Sequence, residues 1–178
     1  VILNAKSKYL SARVIGITGQ YPESNALLEE TYQLLSIKMD SSLLINTNSV
    51  YADNKMRQKK YAEAENKLLE NISYSKNNDA NSNGAKVTLA KIYRRQSKNQ
   101  EAIKLLDEGS HNGKNPLTIA SAYNSKAICF KNLGKFKEAI LSYEKALFTY
   151  KKALKVEHHK AYNSINHNFG NVYKRIKR

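Results

Sequence analysis

A pair of small residues spaced twelve apart returns four times along the chain, as Ala12/Ser24, Ala52/Ala64, Ala90/Ala102 and Ala127/Ala139. The first members follow one another at intervals of 40, 38 and 37 residues, and Gly170, 43 residues after Ala127, stands where a fifth pair would begin. A period of this size demands one supersecondary unit, copied and stacked. Related words surround the pairs: Gly19-Gln20-Tyr21-Pro22-Glu23-Ser24, Lys59-Lys60-Tyr61-Ala62-Glu63-Ala64, Lys98-Asn99-Gln100-Glu101-Ala102 and Gly134-Lys135-Phe136-Lys137-Glu138-Ala139. Apolar residues at helical spacing on both sides of each word predict two amphipathic helices joined by a tight turn. The small residues then mark the crossing, where a bulky side chain would push the axes beyond about 8–10 Å. Tyr61, Phe130, Phe136 and Tyr143 fill the space beside it. Gly19 and Gly134 are placed to end first helices in the left-handed conformation. Lys59 and Ser97 hold that place in the second and third units, where the cap is weaker.

The spacing predicts first helices near 3–17, 40–57, 83–97, 117–133 and 160–177, and second helices near 23–38, 61–76, 99–109 and 136–157. Polar clusters at 76–84 and 110–116 read as turns. The fold class is all-α, in a single array over 1–178 with repeats at 5–44, 45–82, 83–119 and 120–162 and a partial one at 163–178. Two Pro, seven Gly and one Cys exclude collagen-like, turn-dense all-β and disulfide scaffolds. No apolar run approaches the roughly 18 residues of a membrane span. The sequence opens on Val1 rather than Met and stops inside a helical pattern, so it reads as a fragment of a longer protein. A lone Cys suits a cytoplasm, the compartment the sequence favours, or a periplasm.

In the unit from Ala120 to Ala153, the residues Tyr123, Ala127, Phe130, Gly134, Phe136, Ala139, Tyr143 and Ala146 resemble the tetratricopeptide repeat (TPR), with Lys126 where that family usually has Leu. The long period is similar to the variety found in kinesin light chains and Rap-type bacterial regulators, as is the stretch Ala161–Tyr173 with Asn166, Asn168, Phe169, Gly170 and Asn171. The resemblance implies a right-handed α-solenoid of antiparallel helix pairs and a non-catalytic scaffold for a protein or peptide. It further implies the sensing or interaction region of a larger bacterial regulatory protein, with an output domain beyond Arg178. Carried over residue by residue, the inward stripe of the first helices gives Lys91, Arg94, Arg95, Asn124, Ile128, Lys131, His167, Asn171 and Lys174 as the peptide-binding set. Val87, Ser121, Asn132, Ser164 and Arg175 lie on the same stripe, and the earlier repeats add Tyr9, Arg13, Asn46, Ser49, Asp53, Met56 and Arg57. The carboxylate clamp of chaperone adaptors is excluded. Its positions hold Tyr9, Arg13, Val50, Gly84 and Thr88, or Ser49, Asp53, Thr88, Ser121 and Ser125 one repeat later.

Charge is uneven along the chain. Residues 1–82 carry a net +1 and residues 83–178 a net +14. Such a field steers an acidic peptide or another polyanion. Lys outnumbers Arg by 24 to 6, whereas dedicated phosphate and carboxylate forks prefer Arg. The stripe also holds few aromatics on which bases could stack, so a protein or acidic peptide is the expected partner and nucleic acid the alternative. The open helix near Phe169, Val172 and Tyr173 is expected to pair with another copy.

Nothing in the sequence calls for a cofactor, a metal or catalysis. There is no dinucleotide loop and no HExxH. Gly109 to Asn115 has the wrong glycine spacing for a phosphate loop and no Ser/Thr for magnesium, so it reads as a turn. His159 and His167 are eight apart, roughly 12 Å along a helix, too far for one metal ion. Cys129, between Ile128 and Phe130, is expected to be buried and inert.

Overall fold

The computed structural model describes residues 1–74, 80–111, 113–154 and 160–176. The regular elements among them are helices: α1 (Ile2–Ile17), α2 (Tyr21–Ile37), α3 (Ser41–Arg57), α4 (Tyr61–Tyr74), α5 (Ala80–Arg95), α6 (Asn99–His111), α7 (Pro116–Asn132), α8 (Phe136–Leu154) and α9 (Lys160–Ile176). They fall into two compact units, Val1–Lys76 and Asn77–Arg178. In the first unit α1 packs on α2 and α3 on α4, and both α1 and α2 meet α3. In the second, α5 packs on α6 and α7 on α8; α5 and α6 both meet α7, and α9 packs on α8.

The crossings lie where the small pairs predict them. Ala12, Ser24, Ala52, Ala64, Ala90, Ala102, Ala127 and Ala139 are all wholly buried. Ser24 keeps its hydroxyl satisfied by donating to the Ala12 carbonyl at 2.7 Å. One turn beyond each crossing, repeat-equivalent positions on the second helices hold Leu28, Leu68, Leu106 and Tyr143, again buried. Burial of such a row along one helix stripe is the main favourable term in each pair.

One turn geometry joins the helices in every pair. Gly19, Lys59, Ser97 and Gly134 all have positive φ, at 91°, 62°, 64° and 74°. The next residue's N–H reaches back to the carbonyl five positions earlier, in Gln20 to Ile15, Lys60 to Lys55, Lys98 to Tyr93 and Lys135 to Phe130. These bonds satisfy carbonyls that a helix end leaves open. Glycine takes this conformation freely, whereas Lys59 and Ser97 bear a Cβ that crowds the following carbonyl. Lys59→Gly and Ser97→Gly are therefore each expected to stabilise the fold by about 0.5–1 kcal/mol, after allowing for glycine's greater freedom in the unfolded chain. Urea midpoints of the two variants check this, and Lys59→Ala, which keeps the strain, should gain nothing.

Two expected turns are shorter than the sequence suggests. Residues 80–84 belong to α5, and Ser110 and His111 to the end of α6. The polar residues Ser82 and Asn83 are buried because the start of α5 lies tight against the end of α6. A Cβ on Gly109 would sit 3.0 Å from Val87 Cγ2 and 3.3 Å from the Asn83 carbonyl oxygen. Asn115 then caps α7, its side chain accepting from Leu117 N at 2.9 Å with Pro116 as the first helical residue.

Candidate peptide-binding surface

The stripe of the first helices divides on burial. In the second unit Arg95, His167, Asn171 and Lys174 are exposed, while Lys91, Arg94, Asn124, Ile128 and Lys131 are half-buried. Val87 and Met56, expected on the same stripe, are buried instead. Val87 packs with Ala90, Leu106 and Cys129, in the space that Gly109 leaves open on α6. Ile128 leans on the cluster formed by Ala127, Tyr143 and Val172.

Lys131 and Asn171 line one cleft of about 510 Å³, with Asn132, Gly134, Phe136, Val172 and Arg175. The end of α7, the turn into α8 and the C-terminal part of α9 build it. The guanidinium of Arg175 lies 5.1 Å from the centre of the Phe136 ring. The Asn171 amide is 3.0 Å from His167 Nε2, and Asn132 donates to Asn99 Oδ1 at 3.3 Å. Asn132 and Arg175 lay on the predicted stripe. Gly134, Phe136 and Val172 did not, because a glycine turn, a crossing aromatic and a core valine carry other roles in the repeat. Lys91, Arg94, Arg95, Asn124, Ile128, His167 and Lys174 lie outside the lining of this cleft.

The first unit has its own cleft of about 240 Å³, lined by Tyr9, Arg13, Asn46, Ser49 and Asp53 from the predicted stripe, with Gly16, Ile17, Val50 and Asn54. Its chemistry differs. Asp53 accepts from Arg57 Nε at 2.8 Å, so acid and base both stand beside this cleft.

Charge is also divided between the two helices of each pair, an axis that counting along the chain conceals. In the second unit α5, α7 and α9 carry nine Lys and Arg and no Asp or Glu, whereas α6 and α8 carry five of each sign. In the first unit α1 and α3 carry five basic residues and one acidic, and α2 and α4 one basic and six acidic. Some of these charges meet across the pairs. Lys8 pairs with Glu30, Lys86 with Glu108 at 2.8 Å, and Lys126 with Asp107. At the positions equivalent to Lys8 and Glu30, Asn48 donates to Glu70 at 3.3 Å and Lys145 sits 5.7 Å above the Tyr123 ring. Arg94, Arg95, Lys131, Lys174 and Arg175 have no carboxylate partner among the described residues.

Cys129 is buried in the core with α5 and α6 residues. Burial pushes its thiol up to about 11, against the pull of Arg94, and pushes the Tyr143 phenol up to about 12. Burial lowers the Arg94 guanidinium, whose Nε is enclosed without a hydrogen-bond partner. A thiolate is thus disfavoured where a nucleophile would need it. The folded-state pKa of Cys129 lies above its ordinary 9.0, so the stability contributed by the neutral thiol is complete below that pH and is lost as the pH rises towards about 11. Urea unfolding from pH 8 to 11 is expected to show a falling midpoint, with a shallower fall in Cys129→Ala. An equal fall in both would assign the loss to other groups.

Among the described residues no group of three His, Cys, Asp or Glu is placed to hold a metal ion. His158 and His159 lie outside the described residues. Gly113 is closed in, since a Cβ there would stand 2.8 Å from Ile119 Cγ1. No described helix is long and apolar enough to cross a membrane.

No family model matches the sequence, and no curated protein does. Solved structures do. The chain is similar to the nearly identical TPR-like repeats of a protein described as a kinesin light chain from Podosopora anserina, at 19% identity over 95% of this chain and 84% of that one, with a TM-score of 0.73. It is similar to BtubC from P. vanneervenii at 20% identity, over 92% of this chain and 69% of that one, with a TM-score of 0.77. It is similar to MamA of MSR-1 at 16% identity, over 96% and 97%, with a TM-score of 0.58. At these identities the likeness fixes the fold, which is all-α and built of TPR-like helical repeats, as the sequence resemblance implies.

Proposed function

We propose that the chain is a non-catalytic scaffold that binds an acidic protein or peptide on the first-helix face of its second unit. The observation that carries this reading is the division of charge. With no anion on α5, α7 or α9, Lys91, Arg94, Arg95, Lys131, Lys174 and Arg175 make a surface that attracts carboxylates and repels basic competitors, while Lys86 and Lys126 are paired with Glu108 and Asp107. Lys91, Arg94, Arg95, Lys131 and Lys174 supply the field. The Asn171 amide, its N–H group beside His167, can accept a backbone N–H of an extended peptide through Oδ1, whereas the Asn124 Oδ1 is enclosed. His167 and Ile128 complete the surface.

Fluorescence anisotropy with labelled acidic, basic and neutral peptides tests this. The acidic peptide is expected to bind best, and Lys91→Glu with Lys174→Glu to weaken it at least tenfold. Duplex DNA in the same assay tests the polyanion alternative, because phosphate contacts give an affinity that falls steeply with salt. DNA binding as tight as peptide binding, with that steep fall, would overturn the peptide reading.

The setting that fits such a scaffold is the sensing or interaction region of a larger bacterial regulatory protein, as the sequence resemblance implies. Self-association through α9 is supported by Tyr173 and Ile176, which are 45% and 42% exposed. Val172 plays no part in it, being buried in the core with Tyr143 and Ile165. Sedimentation at rising concentration should show a second, faster species, and a single unchanging one contradicts this.

A further inference from the structure

We infer that the cleft between the end of α7 and α9 is a carboxylate subsite, in which Lys131 and Arg175 hold one Asp or Glu side chain of the bound peptide. This rests on the first-helix face being the peptide-binding surface, and adds where the acidic group is anchored. The lining has two cations, two amides, a glycine, an aromatic ring and a valine, and no acidic residue. Neither cation has a carboxylate partner among the described residues. The Arg175 guanidinium carbon lies over the Phe136 ring, 5.1 Å from its centre. This contact is not a hydrogen bond, and the guanidinium's fork of N–H donors matches a carboxylate's two oxygens. Lys131 adds a mobile point charge from the other helix. The two amides suit the peptide backbone. Asn171 spends its N–H group beside His167 and Asn132 donates to Asn99, so each keeps its Oδ1 as an acceptor for a peptide N–H. Gly134, at φ 74°, has nothing within 4 Å of where a Cβ would stand, so the cleft stays open beside the turn. The cleft of the first unit, where Asp53 and Arg57 pair, lacks this one-sided charge.

The probe is a labelled ten-residue peptide of Glu and Ser, read by anisotropy at about 0.15 M salt. Lys131→Gln with Arg175→Gln is expected to weaken binding about tenfold or more, the scale of two charge-assisted hydrogen bonds. Lys104→Gln with Lys137→Gln removes the same charge from exposed sites on α6 and α8 and should change binding less than twofold. Equal losses in the two doubles overturn the subsite and leave only a general field. If the wild-type protein binds no Glu peptide, the acidic-partner reading fails together with the subsite. If it binds, and only Lys91→Glu with Lys174→Glu abolishes binding, the surface stands and the subsite fails. A phosphoserine peptide that binds where the Glu peptide does not identifies a phosphate receptor and overturns the carboxylate assignment. The side-chain amide signals of Asn132 and Asn171 in the wild-type protein give a readout independent of variant folding. They should shift on addition of the Glu peptide, and unmoved signals at saturation overturn the subsite.

Discussion

Replacing Tyr143 by Ala is expected to lower the stability of the second unit by about 3–5 kcal/mol, the range for deleting a buried large side chain. Tyr143 is wholly buried among Ala127, Ala139, Ala146, Ile165 and Val172, and meets Phe169 edge-on at 6.5 Å between ring centres. It therefore joins α7, α8 and α9 in one cluster. Its position is that of Leu28, Leu68 and Leu106 in the earlier repeats, so the site asks for bulk rather than polarity. The hydroxyl has no hydrogen-bond partner. Removing an enclosed, unpaired hydroxyl while keeping the ring is neutral or favourable. Tyr143→Phe should therefore unfold at the same urea concentration as the wild-type protein or a higher one. A Phe variant as unstable as the Ala variant would show that the hydroxyl, and not the packing, holds this end together.

The second large effect is expected in the first unit. Asn71 is buried and accepts from Asn48 Nδ2 at 2.9 Å, while its own amide donates to the Ile45 carbonyl at 2.9 Å and to Ser49 Oγ at 3.0 Å. Asn48 accepts from the Tyr32 hydroxyl at 2.8 Å, and burial first, then Glu29 and Glu70, push that phenol well above its ordinary range. Asn71→Ala would remove three bonds of this network, while the Asn48 amide keeps Glu70 and the Ile45 carbonyl keeps the Ser49 hydroxyl. At about 0.5–1.5 kcal/mol for each bond lost, a loss of about 2–4 kcal/mol is expected. A double-mutant cycle between Asn71→Ala and Tyr32→Phe, followed by urea unfolding, should give a coupling clearly above zero. Additive losses would mean that the chain of bonds does not act as a unit.

The helix pairs were legible because small residues at a fixed interval have one economical explanation, the close crossing of two helices. The turns were legible at Gly19 and Gly134, and by alignment at Lys59 and Ser97, although neither residue type favours the conformation it adopts. The start of α5 was not legible. Asn and Ser there have the composition of a turn, and only the close approach permitted by Gly109, some 25 residues later, makes them helical and buried. The polar network of the first unit escaped for a similar reason. Asn71 stands where other repeats hold Thr31, Gly109 and Ala146, and nothing local shows that it reaches Asn48 and Ile45. At the candidate site the stripe found the exposed cations, but Val87 fell into the core and Arg94 became half-buried beside Cys129. Phe136 entered the cleft because a turn swings it towards α9, which no periodicity within one helix reports.

The proposed binding surface is built by the first helices of the second unit. It can be read from backbone amide spectra of the labelled protein, recorded during titration with the Glu and Ser peptide. Shifts are expected to group on the exposed turns of α5, α7 and α9, strongest near Lys131, Asn171 and Arg175, with α6 and α8 still at their free positions. Shifts on α6 and α8 instead, or spread evenly over every exposed Lys, would contradict this surface.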